Sequence, residues 1–499
     1  MTTKKITALT LVLAELAAML ACGDSETADT DETKTNDSVA AEETSAVDRA
    51  DTPDSLPDAL DFDQTVINVL FPESHGGSAD QIDWVSEDDG EVVSSAIYQR
   101  TTAVEERLGV EFDVNYDYTV TEWPNILRSS IMAQDGSFDL VWGAQYETVP
   151  LAAEGMYLDL SDAEYIDYSQ PWWNNEFMEE ISVGDVRYLL AGDISLSMLS
   201  YMSCVYFGKE RFEEISGETS DDLYQLVLDG GFTIDKLAEY CRLSYSDLNG
   251  DSARDEDDRY AMGAVTASTT DHLTFDSGIT FTTRDANGLP MLTIDNERTY
   301  QFVEKLYSLF YENEGVFVYP PVQDSLRIVI PNKFTGGDMT FMCGYFYSAD
   351  LLREMKSDYG IIPYPKLDES VQDYASLVHD SAMLVSVPIT CTKLDAVTAA
   401  IEAIAAENWR TVTPAYYEIA LKTKYTRDDT SCVIVDMIHE SGTTDFAYAY
   451  NRQLGGVGQI MRKLAEQKSS DFASTYAQIK TSAEAGLVEL IESFGKSGS

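Results

Sequence analysis

Three stretches decide the fold: Thr65-Val-Ile-Asn-Val-Leu-Phe71, Val110-Glu-Phe-Asp-Val-Asn-Tyr116 and Phe138-Asp-Leu-Val-Trp142. The first is a short β-branched apolar run, the pattern of a strand covered on both faces. The second alternates Val110, Phe112, Val114 and Tyr116, as a half-covered strand does. Between them, 94–108 puts Ile97, Val104 and Leu108 on one helical face, with Gly109 as its stop. A second helix, 123–133, leads to the third stretch. Strand, helix, strand, helix, strand is the grammar of an open parallel α/β sheet. Ligands of such sheets sit beyond the carboxyl ends of the strands, here 72–74 and 143–146.

Further along, the mixed pattern recurs. Helices at 234–243 and 297–312, with strand-like runs at 260–267, predict a second α/β lobe. Apolar runs at 338–343, 359–365 and 384–387 predict three more strands, followed by a helix at 395–407. The last portion, 456–494, reads as amphipathic helix. A chain of 499 residues accommodates two or three folded units.

Composition limits the partners. Eighty-seven acidic against 33 basic residues give a net charge of −54, which repels phosphate backbones and excludes nucleic acid as a partner. The same charge opposes docking on an anionic lipid surface.

The amino terminus pairs Lys4 and Lys5 with a mostly apolar run, Ile6 to Ala21, ending at Cys22. That is a secretory signal, too short and too interrupted for a spanning helix. Met19-Leu20-Ala21-Cys22 matches a lipobox, which makes 1–22 a lipoprotein signal peptide and Cys22 the lipidated residue. The segment 23–63 follows, with fourteen acids against Lys34 and Arg49 and almost no large apolar residue, and reads as a disordered acidic tether. Cysteines stand at 22, 204, 241, 343, 391 and 432 with no CxxC spacing, so neither a zinc cage nor a disulfide framework is indicated.

Several blocks together resemble the family 1 extracellular solute-binding proteins of ABC importers, the maltose-binding-protein-like group. They are Ala96 to Arg107, Phe138 to Trp142 with Gly155 to Leu160, Gly337 to Gly344, Tyr359 to Pro365, and Pro414 to Asp428, the last shared with a lipoprotein subgroup. The resemblance implies a periplasmic-binding-protein-like α/β fold of two discontinuous lobes joined by hinge crossings. It places the first lobe at 64–170 and 345–410, and the second, with hinge segments, at 171–344 and 411–499. It further implies a monomer, exported and lipid-anchored on the outer face of the cytoplasmic membrane. Such a chain takes a sugar or oligosaccharide into an interlobe cleft by hinge closure and delivers it to ABC permease subunits.

Candidate cleft residues follow from strand ends and aromatic chemistry. Trp142, Gln145 and Tyr146 end the third strand, and the resemblance puts Trp142 at a ligand contact, although core packing is the alternative. Trp172 and Trp173 stand near the expected first crossing. Tyr345 and Tyr347 follow the hinge strand; they alternate with Phe346, so one side of that segment faces the ligand.

The sharpest local motif is Asp247 to Asp258. Asp247, Asn249, Asp251, the Ala253 carbonyl, Asp255 and Asp258 fall at EF-hand spacing and predict a structural Ca2+ ion, with Ser252 in place of the usual glycine and Asp258 in place of glutamate. A solvated acidic turn is the alternative. No GxSxG elbow, HExxH helix or phosphate-cradling glycine loop occurs, and the chain reads as a binding protein, not an enzyme. A glycoside hydrolase, which needs only two carboxylates, and a calcium-dependent surface glycan adhesin are the rival readings.

Overall fold

A computed structural model describes residues 49, 52–72, 83–85, 87–119, 121–322, 324–417 and 429–497. The signal peptide with Cys22, the tether up to residue 48, Glu73 and Ser74 of the first binding edge, and 418–428 of the last resemblance block lie outside them.

Nine strands build two sheets: β1 (Thr65–Leu70), β2 (Val110–Asn115), β3 (Leu140–Ala144), β4 (Ser203–Gly208), β5 (Tyr260–Val265), β6 (Val316–Tyr319), β7 (Met339–Tyr345), β8 (Tyr359–Ile362) and β9 (Met383–Ser386). The first sheet has the order β9-β3-β1-β2, and the second β8-β4-β7-β5-β6. In the first, β1 lies parallel to β2 in the register Thr65↔Val110 to Leu70↔Asn115 and parallel to β3, while β9 runs antiparallel to β3. In the second, β5 is parallel to β6 and β7, and β4 is antiparallel to β7 and β8. Each sheet is the centre of one lobe, and β3, β4, β5, β7, β8 and β9 are buried along their whole length.

The helix between β1 and β2 spans Val92–Leu108, buries Ile97, Val104 and Leu108, and stops at Gly109, whose φ of 61° lets its N–H reach the Glu105 carbonyl. A Cβ at Gly109 would also meet the Asp61 carboxylate, so the stop belongs to glycine twice over. The expected strand 138–142 is displaced by two residues. Asp139 accepts from the Asn68 amide and Asn68 Nδ2, both at 2.9 Å, and from Lys393 Nζ at 2.8 Å. Its side chain thereby fixes the entry to β3, and pairing begins at Leu140. The expected helix 297–312 is α-helical only over Glu297–Tyr307 and continues as a π-helical segment.

Three crossing segments are described throughout. Leu190 still bridges Val385 of the first sheet before the chain enters β4. The return runs from Ile362 of β8 to Met383 of β9. A third segment leaves helix Asp429–Glu440, packed on the second lobe, and reaches Phe446–Ala449, packed against helix Gln145–Ala153 of the first. These crossings correct the expected lobe boundaries. Residues 171–190 stay with the first lobe. Residues 345–362 stay with the second, because β8 pairs with β4. Asn408–Val412 packs on helix Val92–Leu108. A buried apolar strand carries no mark of which neighbour it joins, so the sequence placed the returns too early.

Buried carboxylates hold the crossings. Asp83 accepts from Ser195 Oγ and the Leu196 amide, both at 2.6 Å, and from Trp142 Nε1 at 3.2 Å. Asp276 accepts from Ser203 Oγ at 2.5 Å and the Leu377 amide at 2.6 Å, joining the first crossing to the second. Asp445 accepts from the amides of Phe281 and Thr282 at 2.9 and 3.1 Å. Burial raises the pKa of all three.

The tether is shorter than expected. The Asp54 side chain is almost wholly buried between Arg107, which it meets bidentately, and Arg410 at 3.3 Å; Arg410 also donates to the Thr52 carbonyl at 2.7 Å. Leu56 is buried too, so packing begins before residue 64. The cysteines at 204, 241 and 343 are buried and free, 391 is free and half-buried, and 432 is half-buried. Among the described residues no helix is long and apolar enough to cross a membrane.

Candidate functional site

The carboxyl ends of β1, β3, β5 and β7 converge on a cavity of about 250 Å³ between the lobes. The first lobe contributes Pro72, Trp123, Ala144 and Tyr146. The second contributes Ser268, Arg327, Tyr345 and Tyr347. Between them stand Tyr201 from the first crossing, His379, Asp380 and Ser381 from the second, and Arg462 from helix Ile460–Glu466.

One wall is an aromatic tray. Tyr345 and Tyr347 stack with centroids 5.1 Å apart and planes within 14°. Tyr201 meets both edge-on, at 5.9 and 5.1 Å, and the Arg327 guanidinium lies 5.5 Å from the centre of the Tyr347 ring. Strand alternation alone does not produce this arrangement. Tyr345 is the last residue of β7, and the helical turn that begins at Phe346 brings Tyr347 round to the same side.

The floor is polar. His379 stacks on Tyr201 at 6.0 Å, and its Nδ1 lies 3.1 Å from the Ser381 amide, which donates to it. Asp380 Oδ1 lies 3.3 Å from the same Nδ1. Below, His272 is fully buried against Tyr345 and Tyr364, and burial depresses its pKa so far that it stays neutral. Arg462 pairs bidentately with the buried Asp271, with Nε 2.8 Å from each carboxylate oxygen, and this partner outweighs burial and holds the guanidinium charged.

Of the expected site residues, Tyr146, Tyr345 and Tyr347 line this cleft. Trp142 does not. With β3 displaced, it stands two residues before the strand end, fully buried, its Nε1 on Asp83 and its ring edge-on to Trp84 at 5.2 Å. Gln145 is buried behind the strand end, and its side-chain amide has no hydrogen-bond partner among the described residues. Trp172 and Trp173 border a different cavity, of about 460 Å³, between the first crossing and Trp409. That space is larger, but its lining includes none of the carboxyl ends of β1, β3, β5 and β7; Trp173 donates to Glu402 at 3.1 Å and both indoles are buried.

The sequence reading missed Trp123, Tyr201, Arg327, His379, Asp380 and Arg462. Only His379-Asp380-Ser381 carried a signal, a polar break between the apolar pair Leu377-Val378 and the apolar run 382–385. The others stand on separate elements that only the fold brings together.

The acidic loop orders itself with its own amides. Asp247 accepts from Gly250 and Ser252 at 2.6 and 2.9 Å, Asn249 from Asp251 at 2.9 Å, Asp251 from Ala253 at 2.7 Å, and Asp255 from Asp257 at 3.0 Å. Asp258 is buried and accepts from Tyr245 Oη and the Leu248 amide. Among the described residues no three His, Cys, Asp or Glu side chains come together as a metal-holding group.

No family model matches the sequence, and no curated protein matches it. Solved structures do resemble the fold. A galacto-N-biose/lacto-N-biose I-binding protein of an ABC transporter from Bifidobacterium longum, in complex with lacto-N-biose, is 11% identical over 87% of this chain and 98% of its own, with a TM-score of 0.57. A solute-binding protein from Thermotoga lettingae bound with α-D-tagatose is 14% identical over 86% and 100%, at 0.53. UgpB from Mycobacterium tuberculosis in complex with glycerophosphocholine is 12% identical over 81% and 98%, at 0.54. At these identities the likeness establishes the fold: the two-lobed, periplasmic-binding-protein-like α/β architecture.

Proposed function

We propose that the chain is the solute-binding component of an ABC importer and holds a carbohydrate in the cleft between its lobes. The observation that carries this reading is the stacked pair Tyr345–Tyr347 at a strand end, facing a cavity whose floor offers His379, Asp380, Ser381 and Arg462. Aromatic faces take the C–H surface of a sugar ring while a few fixed polar groups take its hydroxyls. The ligands named for the structural neighbours include two saccharides and one glycerophosphodiester, so the fold alone does not choose. The tray favours a sugar. A cavity of about 250 Å³ is near the lower end of the ~300–1,000 Å³ usual for small-ligand pockets, which fits a short saccharide or the end of a longer one.

Closure of the lobes around the solute is the event an importer reads. The chain binds without transforming its ligand. Export and anchoring through a lipid on Cys22 complete the proposal; replacing Cys22 by alanine is expected to release the protein into the medium. The central test is calorimetric titration of a saccharide panel with small-angle scattering. Stoichiometric binding with a smaller radius of gyration and unchanged sugar supports the receptor. Product formation, or binding without compaction, overturns it.

A further inference from the structure

Arg462 reaches the cleft from the C-terminal part of the chain, more than a hundred residues beyond the Tyr345–Tyr347 tray in sequence. Its geometry is unusual for a cleft cation. Nε and Nη2 are both committed to Asp271, which lies in the first turn of helix Ser268–Asp276 and is buried almost completely. Nη1 has no partner among the described residues. A guanidinium locked along one edge loses little freedom when its other edge takes a hydrogen bond, so the ordering cost of binding is already met by the fold. Asp380 stands on the same floor, with His379 beside it.

Resting on the saccharide reading above, we infer that Arg462 is a specificity-determining contact: its Nη1 donates to a solute oxygen while Asp380 accepts from a neighbouring hydroxyl. Asp271 is the positioning residue that aims it. The matched ligand presents adjacent hydroxyls, one accepting and one donating. An apolar solute of the same size would leave both floor groups unpaired in a closed cleft, a heavy penalty.

The test uses the full chain with lacto-N-biose, α-D-tagatose and maltotetraose, taking whichever binds wild type. Arg462→Lys keeps a cation on Asp271 and removes the second arm, and is expected to weaken binding about 10- to 100-fold with the thermal midpoint of the unliganded protein nearly unchanged. Asp271→Asn is expected to weaken binding in the same way, and the double variant to lose little more than either alone, because both remove one aimed donor. A purely structural pair would lower the midpoint and leave the dissociation constant alone. Wild-type affinity in Arg462→Lys, or additive losses in the double variant, overturns the inference. If wild type binds none of the three saccharides, the carbohydrate reading fails first and this inference with it.

Discussion

The aromatic residues near β3 and those after β7 look alike in sequence and do opposite work. Trp142 and Trp173, both of the first lobe, are buried with their indole N–H groups on the carboxylates of Asp83 and Glu402. Tyr345 and Tyr347 of the second lobe stack on each other and face the cleft. A large ring near the carboxyl end of a strand therefore says little until its partner is known. Where a buried carboxylate receives the N–H, the ring is architecture. Where the ring meets another ring at a cavity wall, it is a surface for a guest.

The largest expected effect separates the two sets. Trp142→Ala removes a fully buried indole and one of the donors to Asp83, and should cost about 3–5 kcal/mol of stability in a urea titration, with solute affinity of the folded fraction unchanged. Tyr347→Ala should do the reverse, weakening saccharide binding by about 2 kcal/mol, some 30-fold by calorimetry, with about 1 kcal/mol or less lost in stability. If Trp142→Ala binds weakly once folded, or Tyr347→Ala binds normally, the division fails.

A third expectation concerns pH. Burial pushes the Glu402 carboxyl up to about 7 and that of Asp193 up to about 6. Both values lie above those of the unfolded chain. The folded protein therefore keeps protons that the unfolded chain has released, and stability rises as pH falls from about 7.5 to 5. Glu402→Gln should flatten this slope by on the order of 1–3 kcal/mol, read from urea midpoints at several pH values. An unchanged slope would mean that the carboxylate under Trp173 is ionised in the folded state.

The smallest effect is expected at the acidic loop, outside both sets. Its carboxylates already serve their own amides, so millimolar calcium should shift the thermal midpoint by less than about 1 °C. A rise of several degrees would favour the EF-hand reading of 247–258.

The first lobe was legible because its signals are local. Alternation in 110–116, the glycine stop after the helix and the apolar run at 65–71 each reflect short-range rules. Trp142 was misplaced by two residues because the start of β3 depends on Asp139 meeting Asn68, a contact across 71 positions that periodicity does not encode. The lobe boundaries failed for a related reason: whether 359–362 belongs to one sheet or the other is settled by pairing with 203–208, not by composition. In the site, Tyr345 and Tyr347 were singled out by their aromatic chemistry at a strand end, but the helical turn that puts both on one side was not legible. Arg462 was not singled out, because its value comes from Asp271, nearly two hundred residues away.

The way the crossings are fastened bears on where the protein can work. Asp83, Asp276 and Asp445 accept from neutral hydroxyl, indole and amide donors, with no cation bonded to any of the three carboxylates among the described residues. Dissolved electrolyte screens exposed charges that stand farther apart than roughly 8 Å at physiological ionic strength, but it finds few exposed charges to act on in these joints. The opening and shutting of the lobes should therefore keep much the same balance in dilute and in briny surroundings, even though the surface carries so many negative charges.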